Sequence, residues 1–543
     1  MNRHVSKWLA LLAVPCMVAC GGGSSGGSSA PASPVSTPGS LVFNPPLRAL
    51  SLSAAVFQGT LDATTSGAQL HALATGSASL PLKCGVDVYK LIFHTTGGAA
   101  EAIESSGAMM VPTGGSGCTG PRPVLLYAHG TTTDEAYDLT QLADPANPAN
   151  GESALIAAVY ASNGFIVVAP NYAGYDNANL AGKGLTYHPY LNAAQQSGEM
   201  IDSLTAARAA LAGVAGSGDA GLLYVSGYSQ GGHVAMATVR ALEAANQPVV
   251  AAATMSGPYA MEAFGDILFS GKVDIGATLF LPLITNSYQK AYSNLYTTPS
   301  DIYSANYASG IESLLPSALT QTQIFQAGLL PQSALFNSAP AAPLTAPPAG
   351  TFGFGSPFLI TDAARLAYLG DAGTAPDGVF SGNANPAVAI LPAASPQSTV
   401  RQALKKNDLR ASLAGPAVPF WLPKAKLMMC AGGNDPVVFS VNTLIMQNYF
   451  LVGQGVLGPL SFPPHVLNID LNADPTATAG SKLPVAAEPS TDPLFALQQA
   501  FTATFNAQAG TTAATLQAAE IAYHGTVAPF CTAASASFFA QPR

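Results

Sequence analysis

The chain contains 543 residues, of which only 9% are charged, and its formal net charge at pH 7 is -9. This sparse and negative charge excludes a nucleic-acid partner, because contacts with a phosphate backbone need clustered Lys and Arg side chains. The length is large for one hydrophobic core, so it indicates either two domains or one domain with a sizeable insertion.

The N-terminal residues have the pattern of an export signal. Two basic residues, Arg3 and Lys7, precede a short apolar run from Trp8 to Val14. This run is too short to span a bilayer, and such segments are removed after export. We therefore predict that residues 1–19 form a signal peptide and that the mature protein lies outside the cytoplasm.

The segment from Met17 to Cys20 resembles the lipobox of bacterial lipoproteins, in which an acylated cysteine becomes the new N-terminus. We therefore predict lipidation of Cys20 and anchoring in the bacterial cell envelope, at the outer membrane. The alternative is an ordinary signal peptide cut near Ala19 and a secreted product. Residues 20–40 are almost all Gly, Ser, Pro and Ala, which predicts a tether because this composition cannot form a core.

Four cysteines remain after the signal peptide and Cys20. In an exported protein an even number indicates two disulfides, and four cysteines allow three connectivities. We favour Cys84 with Cys118, which bracket a hairpin-like segment, and Cys430 with Cys531, which each lie close to a candidate catalytic residue. The spacing leaves the other two connectivities open.

Short strand-like runs alternate with helical runs in the first half of the chain, which is typical of a mostly parallel sheet with helices on both faces. In chain order the predicted elements are strands at 86–94, 108–111, 124–127 and 165–168, a helix at 197–211, a strand at 222–225, a helix at 231–244 and a strand at 249–254. The pattern indicates an α/β domain.

This alternation stops at about residue 257 and resumes with a strand at 426–430 and a helix at 438–449. The intervening residues form Ala- and Leu-rich helical stretches and Pro/Gly-rich loops. We therefore predict a helical cap at residues 257–422, inserted into a core formed by residues 41–256 and 423–543.

The segment Gly227–Gly232 contains the pattern G-x-S-x-G between a predicted strand and a predicted helix. In that position the pattern predicts a nucleophile elbow, in which a tight turn holds the serine at a strained backbone position and glycines leave space for it. Ser229 is therefore the candidate nucleophile, the alternative being an ordinary turn serine. The same pattern occurs around Ser24 and Ser25 of the tether, where no strand precedes it and no helix follows, so we interpret both as chance matches.

A serine hydroxyl needs a base to accept its proton, and in this type of fold the base follows the serine in the chain. His233 lies in the elbow helix, which leaves two candidates. His465 opens a strand-like segment, whereas His524 lies beyond the last predicted strand and precedes Gly525. We predict that His524 is the base and that it lies on a loop, the alternative being a solvated or core histidine.

The third group must hold the imidazole in the right tautomer. Asp435 lies in the segment Gly432–Pro436, which directly follows the strand at 426–430, at the sheet edge where catalytic loops gather. Asp470 and Asp474 follow the next strand and remain alternatives, and Asp435 itself could be an Asp-Pro turn residue. We favour Asp435.

Two backbone N–H groups are predicted to bind the oxyanion that develops on the substrate carbonyl. One belongs to Gln230, directly after the candidate nucleophile. The other belongs to Thr131, because His129-Gly130-Thr131 follows a strand and resembles the oxyanion loop of α/β-hydrolases. His129 precedes the serine, so we predict a structural role for it.

With these residues in place the chain resembles the α/β-hydrolase superfamily and, within it, the secretory lipase family. The matching segments are Tyr89–Thr96 with Met110–Pro112, Val168–Tyr175 and the elbow Gly227–Gly232. The resemblance implies an α/β-hydrolase fold, a helical lid after the sixth strand and activity on esters of apolar acyl chains.

The sequence therefore predicts an exported serine esterase or lipase that forms an acyl-enzyme on Ser229 and acts on a hydrophobic ester. Two alternatives stay open, namely a serine peptidase with the same triad and a non-catalytic lipoprotein that uses the fold for binding. We predict neither a metal nor a cofactor, because no ligand-spaced His/Cys/Asp cluster and no cofactor motif is present in the sequence.

Overall fold

The computed structural model describes residues 37–411, 413, 420–473, 483 and 486–541. The predicted signal peptide, the lipidation site Cys20 and most of the tether lie outside these ranges, as does Asp474. Within the described residues, no helix has both the length and the apolar character needed to cross a bilayer.

The strands build one large sheet and one small one. In chain order the strands are β1 (Leu47–Leu52), β2 (Gly85–Thr96), β3 (Ala102–Thr113), β4 (Gly120–Ala128), β5 (Ile166–Pro170), β6 (Ser217–Tyr228), β7 (Ala251–Met255), β8 (Phe336–Asn337), β9 (Phe354–Gly355), β10 (Lys426–Ala431) and β11 (His465–Asn468). Among the described residues nine strands form the large sheet, in the order β1-β2-β3-β5-β4-β6-β7-β10-β11, and β8 pairs with β9. Strands β1, β2, β3 and β5 pair antiparallel in that order, and the remaining pairs, from β5–β4 to β10–β11, are parallel.

Helices cover both faces of this sheet. In chain order the helices are α1 (Ala54–Asp62), α2 (Thr65–Thr75), α3 (Asn150–Val159), α4 (Ala193–Leu211), α5 (Gln230–Ala244), α6 (Met261–Ser270), α7 (Ala277–Tyr292), α8 (Gln321–Gln326), α9 (Asp362–Thr374), α10 (Pro386–Ala389), α11 (Thr399–Lys406), α12 (Val441–Leu457), α13 (Pro493–Ala509) and α14 (Ala513–Ala540). Helices α4 and α5 pack together on one face, and α2, α3 and α14 pack together on the other. Every residue of β5 and β7 is buried, as expected for parallel strands covered on both sides. The predicted mostly parallel α/β fold is confirmed.

The chain changes direction across the sheet at β4. From β4 it passes through α3 to β5 on one side and then through α4 to β6 on the other. Ligands of open α/β sheets bind at such a switch point, at the carboxyl ends of the strands. Ala128 at the end of β4 pairs with Gly227 near the end of β6, so the two segments that follow these strands start side by side.

A helical insertion separates β7 from β10 and carries α6 to α11. Its apolar side chains form a second cluster that contains Phe269, Leu279, Tyr288, Ile324 and Tyr368. Because this cluster is separate from the main cluster around the sheet, the insertion is a cap with its own core. The predicted cap is thus present, and we keep residues 257–422 as its proposed bounds.

Two disulfides join segments of the core that are distant in sequence. Cys84 bonds to Cys118 at the base of the β2–β3 hairpin, and Cys430 in β10 bonds to Cys531 in α14. This is the pairing that the sequence favours. The second disulfide fixes α14 against the sheet, next to the loop that follows β10.

A fully buried guanidinium joins three cap helices. Arg401 in α11 contacts Glu262 and Asp266 of α6 and Asp371 of α9, at distances of 3.1, 3.0 and 2.9 Å. A second buried guanidinium, that of Arg410, contacts Asp377 and Asp408 at 2.6 and 2.8 Å. Buried charges of this kind require their partners, because an unpaired charge in the interior is strongly destabilising.

We expect Arg401→Met to lower the free energy of unfolding by about 3–5 kcal/mol, because it leaves the buried carboxyl groups around Arg401 without a cation. Urea unfolding followed by circular dichroism measures this loss. The matched control is Arg208→Met, which removes the half-exposed pair with Asp219 and should cost less than about 1 kcal/mol. Equal effects of the two substitutions would contradict a structural role for the Arg401 contacts.

Candidate active site

Ser229 occupies the turn between β6 and α5 in a strained conformation. Its φ of 60° and ψ of -122° lie in a region that non-glycine residues rarely adopt. The Ser229 N–H donates to the Met255 carbonyl at 2.9 Å, and the Ser229 carbonyl accepts from the Gly232 N–H at 2.9 Å. The surrounding hydrogen bonds therefore hold the strained turn in place.

Two glycines make this turn possible. A Cβ atom on Gly231 would lie 1.9 Å from the Ala128 carbonyl oxygen, and one on Gly227 would lie 2.2 Å from the Gly231 carbonyl oxygen. Any side chain at either position would collide with backbone atoms. The glycines of the predicted elbow are thus required by close backbone approach.

Asp435 and His524, which are 89 positions apart in the sequence, meet in the structure. The His524 Nδ1 atom lies 2.6 Å from the Asp435 Oδ2 atom. The other carboxylate oxygen, Oδ1, accepts from the N–H groups of Val437 and Val438 at 3.0 and 3.1 Å. With Nδ1 donating to the carboxylate, Nε2 is the basic nitrogen, and it is buried without a hydrogen-bond partner among the described residues.

Tyr228, directly before the candidate nucleophile, connects the elbow to this pair. Its hydroxyl donates to the His524 carbonyl at 2.5 Å, and its ring centroid lies 4.9 Å from that of the imidazole. Burial raises the pKa of Tyr228 well above its usual range, so the phenol keeps the proton that it donates. Sequence reasoning missed this role, because position 228 is the variable residue of G-x-S-x-G.

The expectation that His524 lies on a loop is wrong. His524 and Gly525 lie inside α14, five and four residues before Pro529. A Cβ atom on Gly525 would meet nothing within 4 Å, so this glycine forms neither a turn nor a close contact. Packing of α14 against the sheet outweighs the roughly 1 kcal/mol by which glycine disfavours a helix.

The alternative acid and base that the structure describes have other partners. Asp470 accepts from the Tyr523 hydroxyl at 2.6 Å and from the Asn434 side chain at 3.1 Å. His465 is the first residue of β11 and lies 3.2 Å from Glu488, away from the carboxyl end of the strand. Neither Asp470 nor His465 is therefore paired with the groups around Ser229.

The two residues predicted to supply oxyanion donors belong to the same cavity wall as Ser229. Thr131 and Gln230 both line this cavity, and neither backbone N–H has a hydrogen-bond partner among the described residues. The Thr131 side chain contacts the Tyr190 hydroxyl at 2.8 Å, and the Gln230 side chain contacts His188 Nε2 at 2.7 Å. Burial lowers the pKa of His188 to about 3, so this imidazole is neutral and can accept the amide hydrogen bond.

His129 has the structural role that the sequence predicts. Its buried ring stacks on Tyr172 at 4.0 Å between centroids and contacts the carbonyls of Gly130 and Asn171. The backbone beside it is held by Glu152, which accepts from the Gly130 N–H at 3.0 Å. Glu152 also accepts from the hydroxyls of Tyr127 and Tyr137, at 2.8 and 2.6 Å.

The cavity in front of Ser229 is lined mainly by the cap. The cap supplies apolar side chains from α6 and α7, namely Met261, Phe264, Leu268, Phe280, Leu281 and Ile284. Because these side chains are apolar, the site can hold an apolar group next to a polar reaction centre.

The part of the chain that the structure describes contains no group of three or more His, Cys, Asp or Glu side chains arranged to hold a metal ion.

Comparison with solved structures identifies the fold. The rice cell wall degrading esterase LipA from Xanthomonas oryzae matches with a TM-score of 0.58 at 23% identity, over 86% of this chain and 97% of that one. A candidate hydrolase from Legionella pneumophila matches with a TM-score of 0.54 at 18% identity, over 78% of this chain and 90% of that one. The chain has the α/β-hydrolase fold. No family model and no curated protein sequence matches it.

Within this fold, Glu152 fixes the segment that carries Thr131. We expect Glu152→Ala to lower the free energy of unfolding by about 2 kcal/mol, because two buried phenols and the Gly130 N–H lose their acceptor. Thermal unfolding by calorimetry measures the change. The control is Glu520→Ala on the exposed face of α14, with an expected effect within about 0.5 kcal/mol. A Glu152→Ala protein as stable as this control would contradict the assigned contacts.

Proposed function

We propose that the protein is a serine hydrolase that cleaves carboxylic esters, with Ser229 as nucleophile, His524 as base and Asp435 as the group that orients the base. The observation that carries this proposal is the contact between Asp435 and His524 beside a strained serine elbow. Serine, acid and histidine also follow one another in the chain order of this fold.

In the proposed reaction the Ser229 Oγ atom attacks the ester carbonyl carbon while His524 Nε2 accepts the hydroxyl proton. The negative charge that develops on the carbonyl oxygen is bound by the N–H groups of Gln230 and Thr131. Nε2 then donates its proton to the departing alcohol oxygen, and the acyl group remains on Ser229. A water molecule repeats the sequence, which releases the acid and restores the serine.

The substrate class follows from the cavity. Its walls are mostly apolar and the cap closes over it, which favours esters with a hydrophobic chain. The name of the structural relative LipA, an esterase, supports the same class of reaction. A peptidase would use the same triad, so the choice between ester and amide substrates is part of the test below.

We expect Ser229→Ala to abolish labelling by a fluorophosphonate probe and hydrolysis of p-nitrophenyl esters, because the attacking oxygen is removed. The chain offers a matched control, since Ser24 and Ser25 carry the same G-x-S-x-G pattern in the tether. Ser24→Ala and Ser25→Ala should leave labelling and turnover unchanged. Persistent labelling of the Ser229→Ala protein would rule out this nucleophile.

Parallel assays on p-nitrophenyl esters and aminoacyl amides should give turnover of the esters. Turnover of the amides alone would assign a peptidase instead. An unlabelled protein that cleaves neither would favour a binding lipoprotein.

We expect Asp435→Asn to lower kcat by roughly 10³- to 10⁴-fold, because the amide favours the wrong imidazole tautomer. Asp470→Asn serves as the control, since Asp470 contacts Tyr523 and Asn434 and not the imidazole. It should reduce kcat far less. Stopped-flow measurement of the acylation step separates the two variants, and a reversed order would identify Asp470 as the functional acid.

The proposed location is the bacterial cell envelope, with a lipid on Cys20 and residues 20–40 as a tether. We expect the full-length protein to partition into the detergent phase after Triton X-114 separation. Cys20→Ser should move it to the aqueous phase, because stable anchoring depends on the acyl chains. The control Cys16→Ser lies inside the predicted signal peptide and should not alter the partition. Identical partition of the Cys20→Ser and unmodified proteins would contradict the anchor.

A further inference from the structure

One ionisable side chain of the cavity has no place in the mechanism above. Asp274 lies in the segment between α6 and α7, is 4% exposed and lines the same cavity as Ser229. The next residue, Ile275, donates its N–H to the Pro436 carbonyl at 3.0 Å. Asp274 is therefore held beside the loop that carries Asp435.

The Asp274 carboxyl lacks the partners that the other buried acids of the cap have. Five buried carboxyl groups contact Arg401 or Arg410, namely those of Glu262, Asp266, Asp371, Asp377 and Asp408. Among the described residues, no other residue forms a hydrogen bond or an ion pair with the Asp274 side chain, which contacts only its own backbone N–H. The carboxyl therefore lines the cavity with hydrogen-bonding capacity that no other described residue uses and that a ligand could satisfy.

The environment favours the protonated form of this carboxyl. Burial raises the pKa of Asp274 well above its usual range, and the nearby Asp435 carboxylate raises it further, although its own backbone N–H lowers it. A protonated carboxyl donates one hydrogen bond and accepts others. In a mostly apolar cavity it can therefore recognise a neutral oxygen atom.

We propose that Asp274 is a specificity-determining residue that hydrogen-bonds an oxygen atom on the chain held in the cavity. The preferred substrates are then esters whose acyl or alcohol chain carries a hydroxyl group, rather than plain alkyl esters. This inference rests on the proposed ester hydrolysis and adds the substrate class.

The size of the preference for hydroxylated esters follows from the free-energy cost of leaving the Asp274 carboxyl without a hydrogen-bond partner. A plain alkyl chain covers the Asp274 carboxyl and leaves it without a partner, whereas a hydroxylated chain supplies one. A hydrogen bond of this kind changes binding by roughly tenfold. Pockets built to bind a substrate hydroxyl discriminate more strongly than pockets that only fit a methylene group.

The test uses two matched pairs of esters with the wild-type enzyme, and a pH-stat to measure kcat/KM. The first pair is ethyl 3-hydroxyhexanoate and ethyl hexanoate, and the second is 3-hydroxyhexyl acetate and hexyl acetate. We expect the hydroxylated ester to be favoured about tenfold in at least one pair. Ethyl 3-aminohexanoate tests the competing possibility of an ionised carboxylate that binds an ammonium group.

Two substitutions of Asp274 separate hydrogen bonding from shape. Asp274→Asn keeps a donor and an acceptor, so the preference should stay within about threefold of wild type. Asp274→Leu has similar size and no polar atom, so the ratio should fall to about one. Asp144→Asn, in an exposed loop, is the control for an unchanged ratio. The proposal would be overturned if the ratio of kcat/KM between hydroxylated and plain esters were equal in wild type and Asp274→Leu. A preference of the wild type for the amino ester that Asp274→Asn removes would overturn it as well.

A binding measurement distinguishes failure of this inference from failure of the proposed function. Calorimetry on Ser229→Ala should show tighter binding of 3-hydroxyhexanoic acid than of hexanoic acid, or of 1,3-hexanediol than of hexanol. Adding Asp274→Leu to that variant should remove the difference. Binding without ester cleavage in the wild type would refute the hydrolase and keep the subsite, whereas cleavage with equal ratios and equal binding would refute the subsite alone.

Discussion

The strained turn at Ser229 is the constraint on which the rest of the site depends. A residue with φ of 60° costs energy, and it persists only where the surrounding structure imposes it. Here β4, β6 and α5 approach so closely that Gly227 and Gly231 cannot carry side chains. The hydrogen bond from Ser229 to β7 then fixes the turn from the other side. The parallel sheet thus holds Ser229 at its edge, in the turn between β6 and α5.

The imidazole reaches this edge through a helix and not through a loop. Helix α14 is fixed to β10 by the Cys430–Cys531 disulfide, and Tyr228 contacts His524 from within the elbow. Asp435 is fixed in turn by two backbone N–H groups, which leaves one oxygen for the imidazole. A side chain mounted on a rigid element keeps its orientation with little loss of side-chain entropy. The core therefore orients the imidazole before any substrate is present.

The cap has a different physical character from the core. Its helices are joined by buried Arg–carboxylate contacts, which need good geometry to offset the loss of hydration. The same segment supplies the apolar wall of the cavity and the unpaired Asp274 carboxyl. The core thus carries the groups proposed for bond cleavage, and the cap carries those that would select the chain of the substrate.

Local patterns in the sequence were sufficient for the alternating strands and helices, the G-x-S-x-G turn and the segments after β4 and β10, because these depend on hydrophobic periodicity and on glycine geometry. The helical setting of His524 could not be predicted, since Gly525 and Pro529 disfavour a helix locally and only packing against the sheet compensates. The contacts of Tyr228 and Asp274 also needed the fold, because each joins residues far apart in the chain. Chain order and spacing determine which residues are candidates, whereas tertiary packing decides which of them meet.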